Sequence, residues 1–414
     1  MLDPSLIRPH FPALNQTHDG QPVVFFDNPG GTQCPQRVID AVANYMMNDN
    51  ANHGGAFTTS QRSDEMLHDA HQAMADMLGA ASADEIVFGA NMTTLTFSIS
   101  RALGRELKPG DEIVITQLDH DANVSPWLLL AQDTGAVIRW VDIREEDVTL
   151  DMASFEAAIT DRTKIVATGY ASNAVGTIND VKTIVEMAHG VGALAYIDAV
   201  QYAPHGPIDV QGLGCDLLVC SAYKFFGPHV GVLYGKLDLL DKLSAYKVRP
   251  ADDRPPYKFE TGTLNHEGIA GTRAAVEYLG QISNFKSQVS RRERVLAGMT
   301  AIKEYEKILS AKLISGLQQI SGLKIWGITN PAQLDRRVPT VSFTLEGHSP
   351  REIAEYLGQR GIFVWDGNYY ALAVMERLGL EPKGGMLRVG PVHYNTTREI
   401  DRLLDELEAL VKLG

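Results

Sequence analysis

The chain has 414 residues, 44% hydrophobic and 21% charged, and its 37 basic residues against 51 acidic ones give a formal net charge of −14. That length exceeds one simple core and fits two domains, and the composition is that of a folded globular protein. The acidic balance argues against nucleic acid or an anionic membrane as a partner, and no apolar run is long enough to span a bilayer. The three cysteines, Cys34, Cys215 and Cys220, have no metal-ligand spacing and make no disulfide framework. With no basic stretch followed by an apolar one near Met1, the expected location is the cytoplasm.

In chain order, Val23–Phe26 reads as a first strand ending in the turn-rich loop Asp27-Asn28-Pro29-Gly30-Gly31. From about residue 61 to 235, strands alternate with helical patterns. The clearest strands are Ile86–Phe88, Glu112–Ile115, Val137–Val141, Ile165–Ala167 and Leu194–Ile197. Between them, helical spacing such as Ile184, Met187, Ala188 and Val191 follows a cap at Asp180. Continuous apolar strands with helical crossovers predict an α/β fold, a mostly parallel sheet sandwiched by helices. After about residue 280 the pattern changes. A charged helix is expected near Asn284 to Leu309, followed by an α+β segment. There Ser349-Pro350-Arg351-Glu352 is a capping box, and Thr396 opens a last helix with a stripe at Ile400, Leu403, Leu404, Leu407 and Leu410. The expected division is an N-terminal arm, 1–21, packing with the small domain, a large domain, 22–283, and a small C-terminal domain, 284–414.

One stretch invites chemistry. Leu217-Leu218-Val219 is a buried strand, Gly231–Tyr234 another, and between them Lys224 stands among aromatic and small residues. A lysine at a buried strand end is unusual, and burial frees its lone pair for Schiff-base chemistry. Upstream, the strand Leu194–Ile197 ends in Asp198. Pyridoxal 5′-phosphate (PLP) needs such an acid at its pyridine nitrogen, so Asp198 and Lys224 together point to a PLP enzyme. In parallel sheets, ligands bind beyond the carboxyl ends of the strands. After Ile86–Phe88 come small residues and hydroxyls, Gly89–Thr94, that could cradle a phosphate at a helix N-terminus. Asp119–Asn123 and Tyr170–Thr177 follow the next strands. Singly, Thr93, Ser221 and Asp198 are ordinary caps, and His120, Asn173, Gln201, Thr263 and Arg388 ordinary loop or strand residues.

The ordered set is more specific. Ser172-Asn173-x-x-Gly176-Thr177, Asp198-x-x-Gln201, Ser221-x-x-Lys224-x-x-Gly227-Pro228 and Glu260-x-Gly262-Thr263 together resemble the class V aminotransferase group of fold-type I PLP enzymes. Most similar is the cysteine desulfurase and selenocysteine lyase branch, over nearly the whole chain. The resemblance implies the fold-type I architecture with its seven-stranded sheet, and a role for each residue. Lys224 would be the Schiff-base lysine and proton shuttle. Asp198 would meet the pyridinium nitrogen, Gln201 the phenolic oxygen, and His120 the face of the ring. Thr93, Ser221 and Tyr223 would hold the phosphate, while Asn173 and Arg388 would clamp the substrate carboxylate. Thr263 would reach the partner subunit's phosphate, which implies a homodimer with sites at its interface and an amino acid as substrate.

The sequence also departs from that branch. A cysteine desulfurase needs a thiolate on a small-domain loop to take up sulfur. Tyr370 stands where that cysteine is expected and Trp365 where an arginine often does. Cys215 and Cys220 read as core residues, and Cys34, in a glycine-rich loop, is more simply inert. Tyr223 replaces a histidine and resembles the kynureninase branch. Trp365, Tyr369 and Tyr370, beside Asp366 and Asn368, would line a pocket or brace the loop. The expected activity is a β-eliminating lyase that forms no persulfide. Amino-acid epimerisation resembling isopenicillin N epimerase, with Tyr223 or Tyr370 as the opposing acid, transamination, and non-catalytic PLP binding are the alternatives.

Overall fold

The computed structural model describes residues 2–282 and 289–413. Seven strands make the central sheet: β1 Ile86–Gly89, β2 Glu112–Thr116, β3 Val137–Val141, β4 Thr163–Gly169, β5 Leu194–Asp198, β6 Leu217–Ser221 and β7 Gly231–Gly235. Their spatial order is β1-β7-β6-β5-β4-β2-β3, and only β7 runs antiparallel to its neighbours. The continuous apolar runs follow from burial on both faces. Successive side chains alternate between them, so Ile113 and Ile115 join Trp127, Tyr196 and Val219 in one cluster, while Val114 joins Ile197, Leu218 and Cys220 in the other.

The C-terminal part carries an antiparallel sheet of β8 Leu323–Trp326, β9 Val341–Leu345, β10 Trp365–Gly367 and β11 Met386–Val389, in the order β8-β9-β11-β10. The helix expected near Asn284 runs from Arg291 to Leu317. Ser290 and Glu293 cap each other's backbone at its start, and its buried stripe continues through Leu309 and Leu313 to Leu317. Residues 284–288 of the expected helix, and the expected boundary at 283/284, lie outside the described residues. The reciprocal cap at Ser349 and Glu352 is present, and Thr396 and Glu399 make the same exchange before the helix Thr397–Leu413.

The first strand has an unexpected partner. Val24–Phe25 pairs in parallel with Ile362–Phe363, and Asp27 bridges to Gly390. Val24 and Phe26 therefore lie in the cluster of Leu313, Phe343, Leu387 and Leu403, although the sequence reading assigns residues 22 onward to the large domain. Ahead of them Arg8 pairs with Glu399 at 2.8 Å, and Phe11 packs on Tyr394, Phe226 and Tyr278. No helix among the described residues is long and apolar enough to cross a membrane.

Candidate active site

Every strand from β1 to β6 except the edge strand β3 delivers a polar residue to one cavity at the carboxyl end of the sheet. The cavity is lined by Thr93 after β1, His120 after β2, Asn173 after β4, Asp198 and Gln201 at the end of β5, and Ser221, Tyr223 and Lys224 after β6. Eight of the expected residues thus converge from five strands, separated by up to 131 positions (93 to 224), while Arg388, Thr263 and Tyr370 do not line it. Asp119 also lines it.

Lys224 ends a single tight turn, Ala222–Lys224, which Phe226 closes with a φ of 69° and a fully buried ring. Its Nζ donates to the carbonyl of Pro29 and lies 4.8 Å from the centre of the Tyr223 ring. Tyr223 is itself stacked on His229 at 4.9 Å. Enclosure first, and the Arg388 charge second, push the Lys224 amine down to about 7, against the pull of Asp198 and Asp27. Burial drives Asp198 up to about 6, with the Val200 amide on Oδ1 opposing it. Burial likewise holds His120 down at about 4, helped by Lys224 and Arg388, so its ring is neutral at pH 7.

These residues fit PLP. Asn91 caps the helix Met92–Gly104, and the Ser221 hydroxyl takes the Met92 amide at 3.1 Å, leaving the first turn of the helix with Thr93 at the cavity as an anion cradle. Gly231 packs against that turn so closely that a Cβ would sit 2.4 Å from the Asn91 carbonyl carbon. At the other end a pyridinium would supply Asp198 with the cation its burial lacks. The depressed Lys224 amine is the group that PLP's aldehyde needs.

Arg388, on β11, donates to the Asn173 carbonyl at 2.9 Å, and its guanidinium lies 4.3 Å over the Tyr369 ring. Its Nε and the Asn173 Oδ1 are buried without a hydrogen-bond partner, capacity that a bound carboxylate and amino group could use. Tyr370 is 74% exposed and does not line the cavity; its ring is stacked on His120 at 5.7 Å and 23°. Both Tyr369 and Tyr370 have φ of 58°, a conformation unfavourable for a bulky residue. It is held from outside: Asn173 Nδ2 donates to the Tyr369 carbonyl at 2.9 Å and the Asp121 amide to that of Tyr370 at 2.6 Å.

Thr263 is not brought to this cavity. It lines a separate one with Gly89, Thr94, Phe259 and Leu264, and the phosphate it is expected to reach is the partner subunit's. From the sequence neither Pro29 nor Asp119 carries a role, and Tyr369 is expected only to line a pocket or brace its loop. Asp119 is 4% exposed, is pushed up to about 7 by burial, and accepts from Asn123 at 3.0 Å. Its place directly before His120 was the available signal. Nothing local marks the Pro29 carbonyl, which arrives from the far end of the chain.

A family model described as aminotransferase class-V matches residues 24–403. A cysteine desulfurase of Synechococcus elongatus is 37% identical over 412 residues, 96% of this chain and 62% of its own length. One of Pectobacterium atrosepticum is 32% identical over 422 residues, 98% of each chain. The chain thus spans about three fifths of some curated relatives it matches, 59% and 62%, and nearly all of others. Among solved structures, an apo cysteine desulfurase of Thermococcus onnurineus superposes with a TM-score of 0.89 at 29% identity, covering 100% of this chain and 99% of its own. The chain belongs to the class V aminotransferase family of PLP-dependent enzymes.

Proposed function

We propose that the protein acts on an amino acid by removing its Cα proton and expelling a substituent from Cβ, a lyase reaction of the carbon–sulfur type that forms no protein persulfide. The observation that carries the last clause is the Tyr369–Tyr370 segment. A tyrosine stands at the loop position facing His120, and both carbonyls of the pair are tied to the large-domain loops. A phenol cannot carry sulfane sulfur, and the cysteines are poorly suited to replace it. Cys215 and Cys220 are wholly buried, their thiols pushed up by that burial, Cys215 to about 12. Cys34 donates to the Gly227 carbonyl at 3.3 Å, and burial raises it too.

Arg388 would hold the substrate carboxylate bidentately, with Asn173 beside it. Lys224, with an amine near 7, would accept the Cα proton at physiological pH. Asp198, Gln201, Thr93, Ser221 and Tyr223 would hold the cofactor, and His120, neutral, would pack on its ring. Bound PLP supplies the sink for the electron pair left at Cα. The Cα–H and Cβ–X bonds break, the proton passes to Lys224, and X departs with its bonding pair. After water is consumed, the products are a keto acid, ammonia and HX.

Epimerisation is a second reading because the Tyr370 ring, although outside the cavity, is stacked on His120, a residue that lines it, and a movement of its loop would bring the phenol in as an opposing acid. Proton NMR in heavy water, with PLP-loaded protein and a panel of L-amino acids including cysteine, cysteine sulfinate and O-acetylserine, separates the two. A keto acid with ammonia supports the lyase. Loss of the Cα proton signal with the amino acid otherwise intact supports the epimerase and sinks the lyase.

A further inference from the structure

Gln201 is gripped from behind. Its Nε2 donates to Thr340 Oγ1 at 2.9 Å and lies 3.5 Å from His205 Nε2. The other ring nitrogen of His205 meets Glu306, Nδ1 to Oε2, at 2.7 Å. All four side chains are enclosed: Gln201 and His205 are 4% exposed, Glu306 2% and Thr340 0%. Gln201 and His205 lie four residues apart in the turns after β5, whereas Glu306 comes from the helix Arg291–Leu317 and Thr340 from the turn before β9. That turn is itself fixed. Arg337 Nη2 donates to the Thr340 carbonyl at 2.5 Å, and a Cβ on Gly176 would meet the same oxygen at 2.3 Å. The second oxygen of Glu306 is buried without a hydrogen-bond partner of its own, and His205 and the His393 backbone favour the carboxylate against a burial that raises it.

A glutamine amide offers donors at one end and an acceptor at the other, and a half-turn about its last bond exchanges them. Whichever end is taken up at the back leaves the other for the cavity, which Gln201 lines. A carboxylate accepts only, so Glu306 keeps a proton on His205 Nδ1 and thereby governs what Nε2 presents to Gln201. We propose that Glu306 and His205 are a positioning pair: with Thr340 they fix which end of the Gln201 amide faces the 3-oxygen of PLP, and so set whether that oxygen keeps its proton. This rests on the reading that Gln201 meets that oxygen, and on nothing about the reaction type.

The test is the absorption spectrum of the PLP-loaded protein, read as the ratio of the band of the ionised 3-oxygen to that of the protonated one, without substrate. Glu306→Gln, close in shape, is expected to change the ratio about fivefold, the factor one neutral hydrogen bond is worth. Thr340→Val, which removes the other partner of Gln201, is expected to change it as well. In a Gln201→Leu background, adding Glu306→Gln is expected to change nothing further. An unchanged ratio in both Glu306→Gln and Thr340→Val, where Gln201→Leu does alter it, overturns the proposal. So does a Glu306→Gln effect that persists without Gln201. If Gln201→Leu itself leaves the spectrum alone, the underlying assignment of Gln201 fails instead, and the proposal with it. Melting temperatures of the PLP-free variants distinguish a folding defect, which would lower stability without moving the band ratio.

Discussion

The Lys224 amine makes a quantitative demand. With its pKa at about 7 in place of the usual 10.5, the fraction of free amine at neutral pH is on the order of a thousandfold above that of an exposed lysine. Free amine is the form that captures an aldehyde, so the rate at which apoprotein takes up PLP covalently should rise with pH and level off just above neutrality. Burial is the largest cause of the shift and the Arg388 charge the second, while Asp198 and Asp27 oppose them. Arg388→Gln removes a repelling cation and should move the break in the profile upward by about one unit. Asp198→Asn removes an opposing anion and should move it downward. The assay is stopped-flow mixing of apoprotein with PLP across a pH series, each sample quenched with borohydride and the modified fraction read by mass. A wild-type rate that climbs without a break toward the ordinary lysine range, or an Arg388→Gln profile that coincides with wild type, refutes the reasoning.

Borohydride reduction of the PLP-loaded protein should add one pyridoxyl phosphate group to the peptide carrying Lys224, and Lys224→Ala should lose that mass while keeping its fold by circular dichroism. Cys34→Ser should retain turnover within about twofold, since that thiol donates to a backbone carbonyl and is raised by burial; a collapse of activity with intact PLP binding would reinstate thiol chemistry. Gly176→Ala should destabilise the protein by about 2 kcal/mol or more, because φ there is 81° and a Cβ would sit 2.3 Å from the Thr340 carbonyl. Its denaturation midpoint measures this directly.

Much of the sheet was legible because both faces are buried, so each strand reads as an unbroken apolar run and the site residues fall where those runs stop. Asp198 and Lys224 stand out this way by position, whereas His120 and Asn173 are singled out only by the ordered set of motifs. What the residues do once assembled is a matter of tertiary approach. No local pattern says that the Pro29 carbonyl receives the Lys224 amine, or that the Tyr369 ring lies under Arg388. The first strand misleads for the same reason: Val23–Phe26 is plainly a strand, but two bonded residues cannot announce a partner near residue 362. The Tyr369–Tyr370 pair hides its left-handed backbone because no glycine marks it.

That early strand bears on how the chain is made. Val24 and Ile362 are 338 positions apart, yet they are neighbours in one ladder. At roughly 5–20 residues per second, the ribosome leaves Val24 and Phe26 without their final packing for some tens of seconds, while the sheet between them can already form. The C-terminal half, for its part, cannot complete its core from its own residues. Its last assembly step must capture a segment that left the tunnel much earlier, so the slowest event in maturation is expected to be closure of this long loop.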